Sequence, residues 1–500
     1  MGTTFHCSAF VLLSFLFVCS TLMAQLTLST VRGTATDPSG AVVPKAQIVL
    51  VSLDTNQRRE AATNDNGDFE IPDLVRGRYR LTATGTGFKT FVAENILLEG
   101  NQIRRINVAF ELGAVGAEVT VRADAAVIQT DTSRLQSAIN TAKHFDTPWV
   151  GAEATLDPSL FITTLPLISQ TSGVWSSQWA GQSSNQVQQG QDGHTNDSAV
   201  NQINDILDTQ EISVVTVNNT AEFSRVGFMN MITKSGANAF HGRASYWHQN
   251  SALGAREFFE DTKAKQLLHT VSVSGSGAAI KNKLFFYASA NILKVPSKQF
   301  YLRSVPTERM RGGDFAQLLP RTAVRDPQTG SPFPGNLIPA SRLNALSLKV
   351  NEKYMPAPNR GGADALANNY GFTFPFPTDY ALRKDFTQRV DLNVTSKNRL
   401  MVRTIENWGL YVLPLNFPSF TRTRVRFNVH FVAEDTHVFS PALVNSFRVG
   451  LYKEKYTDGD TLYGVTPFKG DAAVKELGLQ GVNPKGYSAQ GFPRMDITGF

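Results

Sequence analysis

The stretch "HFVAEDTH", from His430 to His437, comes closest in this chain to the pattern of a metal site. Zinc in proteins is bound by imidazole and carboxylate groups, so His430, Glu434 and His437 are the candidate ligands. On a β-strand, successive side chains point to opposite faces. His430 and Glu434 would then share one face and His437 would lie on the other, so three-ligand geometry fails. We therefore expect these three to be structural strand residues.

No other set of residues has the spacing of a catalytic or cofactor site. The eight histidines are dispersed, and His241 and His248 are the nearest pair outside that stretch. The sequence contains no glycine-rich phosphate loop, nucleophile elbow or HExxH motif. We therefore expect a protein that is not an enzyme and that uses no cofactor and no metal.

The acidic run from Asn64 to Asp68, "NDNGD", has two readings. Its oxygen-bearing side chains could form a calcium loop, but the spaced downstream glutamate of an EF-hand is missing. A plain turn explains every residue, and Asn66-Gly67 is a strong hairpin signal. We expect a hairpin turn.

The charge distribution argues against a nucleic-acid partner. The net charge is +6, yet no run of basic residues is longer than the pairs Arg58-Arg59 and Arg104-Arg105. Nucleic-acid binding requires basic residues concentrated on one face.

The length of 500 residues favours two or more domains.

The N-terminal segment predicts export. The run "FVLLSFLFVCS", Phe10 to Ser20, is apolar and has the length of a signal-peptide core, although no basic residue precedes it. Cleavage after Ala24 would give a signal peptide of residues 1–24; a lipoprotein signal on Cys19 is the alternative. With Cys7 and Cys19 removed, no cysteine would remain. No later run of eighteen apolar residues exists, so any membrane crossing would use strands.

Residues 30–112 alternate between apolar and polar side chains, with turn signals about every ten residues. The expected inward residues are Ile48, Leu50, Leu53, Tyr79, Leu81, Ala83, Ile106, Val108 and Phe110. The pattern predicts a small β-sandwich. The segment "GTATDPSGAVVPKAQIVL…TNDNGDFEIPDLVRGRYRLTATGTGF" also resembles the carboxypeptidase-regulatory-like domain, a transthyretin-like β-sandwich. In carboxypeptidases this module accompanies the catalytic domain and carries no zinc.

Residues 113–130 form a linker with one β-prone segment, Glu118-Val119-Thr120-Val121. It resembles a TonB box, the short strand through which a TonB-like energy-coupling protein grips outer-membrane transporters. Such a grip would be strand addition, mainly through main-chain hydrogen bonds. The alternative is a linker strand packed on the sandwich.

Residues 131–238 resemble the plug domain of TonB-dependent receptors, in the Oar-like subgroup that begins with a carboxypeptidase-regulatory-like domain. The resemblance lies in "FITTLPLISQTSGV" and in "DILDTQEISVVTVNNTAEFSRVGFMNMITKSGANAFHG". The chain departs from the family at Gln191, since an apolar residue should precede Asp192-Gly193. We expect the last plug strand at Met229–Thr233, and a corner at Lys234–Asn238 leading to the first barrel strand at Phe240.

Residues 239–500 show the rhythm of an outer-membrane β-barrel. Val390, Leu392 and Val394 alternate with Arg389, Asp391 and Asn393. Residues 284–291 repeat the pattern, with Phe285, Tyr287, Ser289 and Asn291 on one face. We expect Arg389 and Asp391 to face a watery lumen. Short turns on one side alternate with long loops on the other, such as residues 295–384, which is typical of a barrel with extracellular loops. A soluble sandwich would instead point its apolar face inward. About seven strands are present, against about 22 in transporters of this class, which predicts the N-terminal half of a longer protein.

The predicted fold is therefore all-β: a transthyretin-like β-sandwich, a mixed plug domain and the first strands of an incomplete transmembrane β-barrel. The resemblance implies an outer-membrane receptor with its N-terminal domains on the periplasmic side. It would import an unidentified large ligand, such as a glycan or peptide fragment. Its expected partners are a TonB-like protein, outer-membrane lipid and an extracellular ligand. The alternative is a surface or adhesion protein that transports nothing.

Overall fold

The computed structural model describes most of the chain beyond the predicted signal peptide, and residues 1–24 lie outside the described residues. The described residues are 28–113, 118–122, 134–141, 162, 164–170, 177–183, 186–195, 207–218, 225, 227–256, 258, 263, 265, 267–362, 364–376, 381–414, 420–441, 443–462 and 476–479.

The N-terminal region is a sandwich of two β-sheets. The first has the order β4-β1-β7, with β8 also paired to β1, and comprises β1 Ser29–Thr36, β4 Asp68–Leu74, β7 Ile103–Arg105 and β8 Val108–Ala109. The second has the order β3-β2-β5-β6-β9 and comprises β2 Gln47–Ser52, β3 Arg58–Ala62, β5 Gly77–Thr84, β6 Thr90–Leu98 and β9 Glu118–Arg122. Eight of the nine predicted inward residues are buried in the core between the sheets. The prediction was wrong for Leu53, which is 41% exposed because β2 ends at Ser52 and Leu53 lies in the turn that follows.

The Asn64–Asp68 run is a turn but not a hairpin. Asn64 Oδ1 accepts hydrogen bonds from the backbone N–H groups of Asn66 (3.0 Å) and Asp68 (2.9 Å). Gly67 has φ +75°, and a Cβ there would lie 2.8 Å from the Ala35 carbonyl oxygen. The strands on either side, β3 and β4, belong to different sheets. The hairpin assignment was wrong because turn chemistry bends the chain without choosing its strand partners.

The middle region contains a mixed five-stranded sheet, called the central sheet below. Its order is β10-β16-β17-β14-β15, and its strands are β10 Leu135–Asn140, β14 Val187–Gln191, β15 His194–Thr195, β16 Thr209–Val217 and β17 Gly227–Thr233. β14 runs parallel to β17, and the other pairs are antiparallel. A smaller sheet holds β11 Ile168–Gln170, β12 Ser177–Trp179 and β13 Gln182–Ser183. Residues of both sheets share one apolar core.

The C-terminal region is a single seven-stranded antiparallel sheet, called the large sheet below. Its strands pair in chain order: β18 His241–Asn250, β19 Leu267–Ile280, β20 Leu284–Lys294, β23 Ala381–Asn393, β24 Asn398–Pro414, β25 Phe420–Ser440 and β26 Leu443–Leu462. Between β20 and β23 lie the paired strands β21 Ser297–Arg303 and β22 Tyr370–Phe376, with helices α1 Glu308–Arg311 and α2 Ala345–Tyr354 between them. Among the described strands the sheet is open, with β18 and β26 at its edges.

Alternation in the large sheet runs apolar outward and polar inward. Val390 is 44% exposed and Val402 41%, whereas Arg389 is 6% exposed and Arg403 0%. The connections differ by end: residues 281–283 and 394–397 join strands at one end, whereas residues 251–266 and 295–380 do so at the other. A soluble sandwich would bury the valines, so this arrangement is that of an outer-membrane barrel wall.

Within the part of the chain that the structure describes, no helix is long and apolar enough to cross a membrane.

Candidate functional site

A buried aspartate lies where the central sheet meets the large sheet. Asp192 occupies the turn between β14 and β15 with φ +48°, and it is 5% exposed. Its carboxylate accepts hydrogen bonds from the Thr233 N–H (2.9 Å) and hydroxyl (2.7 Å). It also lies 3.2 Å from Arg403 Nε and 3.4 Å from Arg389 Nη1. Burial acts to raise the pKa of Asp192, but Arg403, Arg389 and the bonds from Thr233 outweigh it and hold the pKa below its usual value.

The inward wall of the large sheet surrounds this turn with charged side chains. Arg389 donates to both carboxylate oxygens of Asp391 (2.8 and 2.9 Å) and to the Thr233 carbonyl (2.9 Å). Arg448 donates to Glu434 (2.9 Å) and to the Gly193 carbonyl (3.0 Å). Arg389 and Asp391 face inward as expected, but the expectation of a watery lumen was wrong, because both side chains are buried and protein groups meet their charges.

His430 belongs to the same contact, through a partner that the sequence did not reveal. Its Nε2 lies 3.0 Å from Nδ1 of His194, which is 236 residues away in the chain. Burial first, and then Arg403 and Arg448, lower the pKa of His194, so this imidazole is held neutral. No local signal in the sequence pairs the two histidines.

The rejected metal triad is arranged as the alternation predicted. His430 and Glu434 are both buried on the inward face, at 5% and 4% exposure. His437 lies on the other face, with its ring 4.4 Å from the Phe439 ring centroid. Among the described residues, no group of three or more His, Cys, Asp or Glu side chains could hold a metal ion. Gln191, at the position expected to be apolar, is buried and donates to the Thr233 hydroxyl (3.3 Å).

Asp208 forms a second contact between the two sheets. Its carboxylate accepts hydrogen bonds from the Tyr287 hydroxyl (2.8 Å), the Asn291 amide (3.1 Å) and the Thr387 hydroxyl (2.8 Å). The three donors come from β20 and β23, and all point inward. The sequence placed Tyr287 and Asn291 on one face, but it gave no sign that an acidic residue would meet them.

The sandwich is joined to the central sheet by a buried glutamate. Glu211 of β16 has no exposed surface, pairs with Arg76 and accepts a hydrogen bond from the Gly100 N–H (2.7 Å). Burial raises the pKa of Glu211, and Arg76 and the Gly100 N–H oppose that rise. Gln136 of β10 donates to the Gly100 carbonyl (2.8 Å).

The candidate TonB box lies on the sandwich. Glu118, Val119, Thr120 and Val121 begin β9, which pairs in parallel with β6 at the edge of the second sheet. This placement is the one predicted by the alternative, a linker strand packed on the sandwich. The coupling role of the four residues stays a prediction.

Comparisons with known proteins identify the families. The family "Outer membrane beta barrel domain" matches residues 232–500, and "Carboxypeptidase regulatory-like domain" matches residues 30–111. The TonB-dependent transporter Oar of Myxococcus xanthus is 26% identical over 282 residues, which are 52% of this chain and 26% of that protein. The chain thus spans about a quarter of the length of this curated relative.

Two solved structures are also similar in part. The siderophore receptor PirA from Pseudomonas aeruginosa has 12% identity and a TM-score of 0.38, covering 65% of this chain and 41% of that one. Hydroxyquinol 1,2-dioxygenase from Pseudomonas putida has 11% identity and a TM-score of 0.15, covering 18% of this chain and 58% of that one. The family match over more than half of the sequence decides the assignment. The chain belongs to the outer membrane beta-barrel domain family, which places it in the Gram-negative outer membrane, and a match to the carboxypeptidase regulatory-like domain precedes its barrel region.

Proposed function

We propose that this protein is an energy-coupled transporter, in which the large sheet is part of the barrel wall and the central sheet is its plug. The ligand would be a molecule too large for porins, such as a glycan or peptide fragment. One observation carries the proposal: inward charges of β23–β26 meet the Asp192-Gly193 turn of the central sheet. A plug held at this turn could be moved without exposing an apolar core.

The energetics of that contact favour reversible movement. A buried ion pair gains Coulomb energy but loses hydration, so its net stabilisation is small. Breaking one partner alone is costly, because the other charge stays buried and unpaired. Water entering the whole cluster would hydrate every group at once. The contact therefore fixes the position of the plug while leaving a route to its release.

The sandwich lies at the short-turn end of the large sheet. The Asn238 N–H donates to the Asp54 carbonyl (2.9 Å), and the Asn56 amide donates to Asn282 Oδ1 (3.1 Å). Short turns of outer-membrane barrels lie on the periplasmic side. We therefore place the sandwich and β9 in the periplasm, within reach of a TonB-like protein.

A display or adhesion role is the second candidate, and the long segment between β20 and β23 favours it. This segment has its own folded structure: Arg342 binds Asp326 through two hydrogen bonds (2.7 and 3.0 Å), and the buried Asn369 amide bonds the Val305 carbonyl (2.8 Å). A folded loop offers a fixed surface to an external partner.

A reversible cross-link between plug and wall would test transport. A Cβ on Gly450 would lie 1.9 Å from His194 Cδ2. Since Cδ2 is two bonds from the His194 Cβ, the two Cβ atoms lie within about 4.5 Å, which suits a disulfide between cysteines at positions 194 and 450. Cells producing the complete receptor with His194→Cys and Gly450→Cys would receive labelled peptides and glycans above the porin size limit. We expect accumulation only after reduction, with surface binding unchanged by oxidation.

The matched control places both cysteines on the outer face of the wall. Phe431 and Leu451 are register partners on that face, so Phe431→Cys with Leu451→Cys staples β25 to β26 without touching His194 and leaves the plug free. This variant should accumulate the labelled molecules in both redox states. Surface binding with no accumulation by the unmodified receptor would favour the display role and contradict transport.

A further inference from the structure

Three ring side chains meet on the outer face of the large sheet, where β18 and β19 approach the connection between them. Tyr246 and His248 lie on β18, and His248 is the direct register partner of His269 on β19. Tyr246 pairs with Val271, which is 44% exposed and so marks this face as the outer one. Residues 249–268 separate the two histidines in the chain. Spacing along the sequence therefore did not reveal the pair, which the strand register creates.

The hydrogen bonds of the two imidazoles involve the same nitrogen of each ring. His248 Nδ1 lies 3.1 Å from the Leu268 carbonyl oxygen, and because a carbonyl only accepts, Nδ1 carries the proton. The lone pair of the neutral His248 ring is then on Nε2. His269 Nδ1 lies 2.8 Å from the Tyr246 hydroxyl, whose oxygen can accept a hydrogen bond from Nδ1–H. In that tautomer the lone pair of His269 is on Nε2 as well.

The separation of the two rings suits a shared ion. The ring centroids of His248 and His269 lie 4.6 Å apart, and the ring planes are inclined by 31°. An ion about 2.1 Å from each Nε2 would hold the two centroids about 4.5 to 5 Å apart. A hydrogen bond from the other ring nitrogen to an oxygen is the usual way in which proteins orient a metal-binding histidine. Both rings have such a bond at Nδ1.

We propose that His248 and His269 bind one divalent transition-metal ion, such as Cu²⁺ or Zn²⁺, through their Nε2 atoms. Imidazole nitrogen is a preferred ligand of these ions, whereas Ca²⁺ and Mg²⁺ select oxygen ligands. The bound ion links β18 to β19 beside residues 251–266, which belong to the long-loop end of the sheet. Long loops of outer-membrane barrels lie outside the cell, so the site takes its ion from there. The inference does not rest on the proposed transport function.

The surroundings of the pair indicate reversible binding. Two protein ligands are one fewer than the three of a catalytic zinc site, so water completes the coordination. Lys294 is the register partner of His269 on the same exposed face, and its positive charge opposes a bound cation. Cu²⁺ should bind more tightly than Zn²⁺, because that is the general order of affinity for nitrogen sites.

Cu²⁺ alone is the probe for the ligand set, added to the complete receptor in detergent. Electron paramagnetic resonance reports how many imidazole nitrogens bind the copper. We expect one ion with two nitrogen ligands in the unmodified receptor. His248→Gln and His269→Gln should each leave one nitrogen and weaken binding by about tenfold or more. His437→Gln is the matched control, since His437 lies on the outer face at the short-turn end, and it should change neither result.

Hydrogen exchange tests the link between the strands. Added Zn²⁺ should slow amide exchange in β18 of the unmodified receptor and have no effect in the variant with both His248→Gln and His269→Gln. Copper that is held equally by this double variant would be an adventitious ion only and would overturn the inference. A spectrum with a single nitrogen in the unmodified receptor would overturn it too, as would exchange in β18 that ignores Zn²⁺.

Discussion

The sandwich and the large sheet use the same two-residue alternation with opposite results. In the sandwich, Leu50 and Leu81 are fully buried, while Arg58 and Glu60 point to water. In the large sheet, Arg403 is fully buried, while Val402 is exposed on the outer surface. Alternation therefore predicts a strand and its two faces, but the surrounding solvent decides which face is covered.

The two interiors also differ in how they hold together. Burying a large apolar side chain contributes about 1.5–3 kcal/mol, and a sandwich core built this way is stable in one arrangement. The boundary between central and large sheets instead uses ion pairs and hydrogen bonds, including those of Asp192 and Asp208. Such contacts specify position more than they add stability. The sandwich should therefore stay rigid, and the central sheet, the proposed plug, should move relative to the large sheet.

The largest expected effect comes from leaving a charge unpaired at that boundary. Asp192→Ala deprives the fully buried Arg403 of its carboxylate partner and should weaken the central sheet's attachment by about 3–5 kcal/mol. The measurement is the urea concentration at which the central sheet becomes susceptible to protease in outer-membrane vesicles. Asp65→Ala, on an exposed turn, is the control, and equal shifts for the two variants would contradict the account.

The corresponding change in the sandwich should act through an apolar cavity. Leu81→Ala removes a fully buried side chain and should destabilise the sandwich by about 2–5 kcal/mol. Protease susceptibility of the sandwich in the complete chain would report it. Val402→Ala removes an apolar side chain from the outer face, and it should leave the sandwich unchanged. A central sheet released as early as the sandwich in Leu81→Ala would mean that the two interiors are not independent.

A smaller effect should follow at the Asn64–Asp68 turn. Gly67→Ala places a side chain at positive φ and 2.8 Å from the Ala35 carbonyl oxygen, so a loss of about 1 kcal/mol or more is expected. Gly87 also has positive φ, at +85°, but a Cβ there meets nothing within 4 Å. Gly87→Ala should therefore cost less, and the difference between the two melting temperatures isolates the clash. Identical melting temperatures would show that the backbone near Ala35 moves away freely.

The smallest effect should be a pH dependence confined to the boundary between the central sheet and the large sheet. The pKa of His194 is lowered in the folded protein, mainly by burial, with Arg403 and Arg448 adding to the shift. A group of this kind stabilises the fold above its unfolded pKa of about 6.5, and the stabilisation is lost as the pH falls toward the folded value. Central-sheet release should thus need less urea at pH 5 than at pH 7.5.

His194→Gln should reduce that pH dependence, whereas His248→Gln, on the exposed face of β18, should preserve it. His430, Arg403 and Arg448 are the groups that face His194, so residual dependence in His194→Gln would be assigned to His430. Release that is insensitive to pH in the unmodified receptor would contradict the role given to this imidazole.

Most strands and their faces could be predicted, because alternation is a local property. The inward positions of Tyr287 and Asn291 follow directly from the residues around them. The order and kind of the three regions came from resemblance to a family, and the domain bounds stay a prediction. Contacts between sheets could not be predicted, since Asp192 meets Arg389 across 197 residues and neither neighbourhood shows a mark of the pairing.

The errors have the same physical origin. Asn66-Gly67 was assigned to a hairpin because the turn signal is local, whereas the choice of β1 as partner for β4 is made across the sandwich. Arg389 was assigned to a watery lumen because a charged residue on a barrel strand ordinarily faces water. Its burial depends on the central sheet, which a single strand does not reveal.

Hydrogen exchange in the complete receptor would test most directly whether the sandwich is rigid and the central sheet, the proposed plug, is movable. Amide protection reports the free energy of local opening for each element. The account predicts that β14–β17 open at a lower urea concentration than β1–β6. It also predicts that Asp192→Ala lowers the concentration for β14–β17 while leaving β1–β6 unchanged. Equal protection of the two regions, with no selective response to Asp192→Ala, would contradict it.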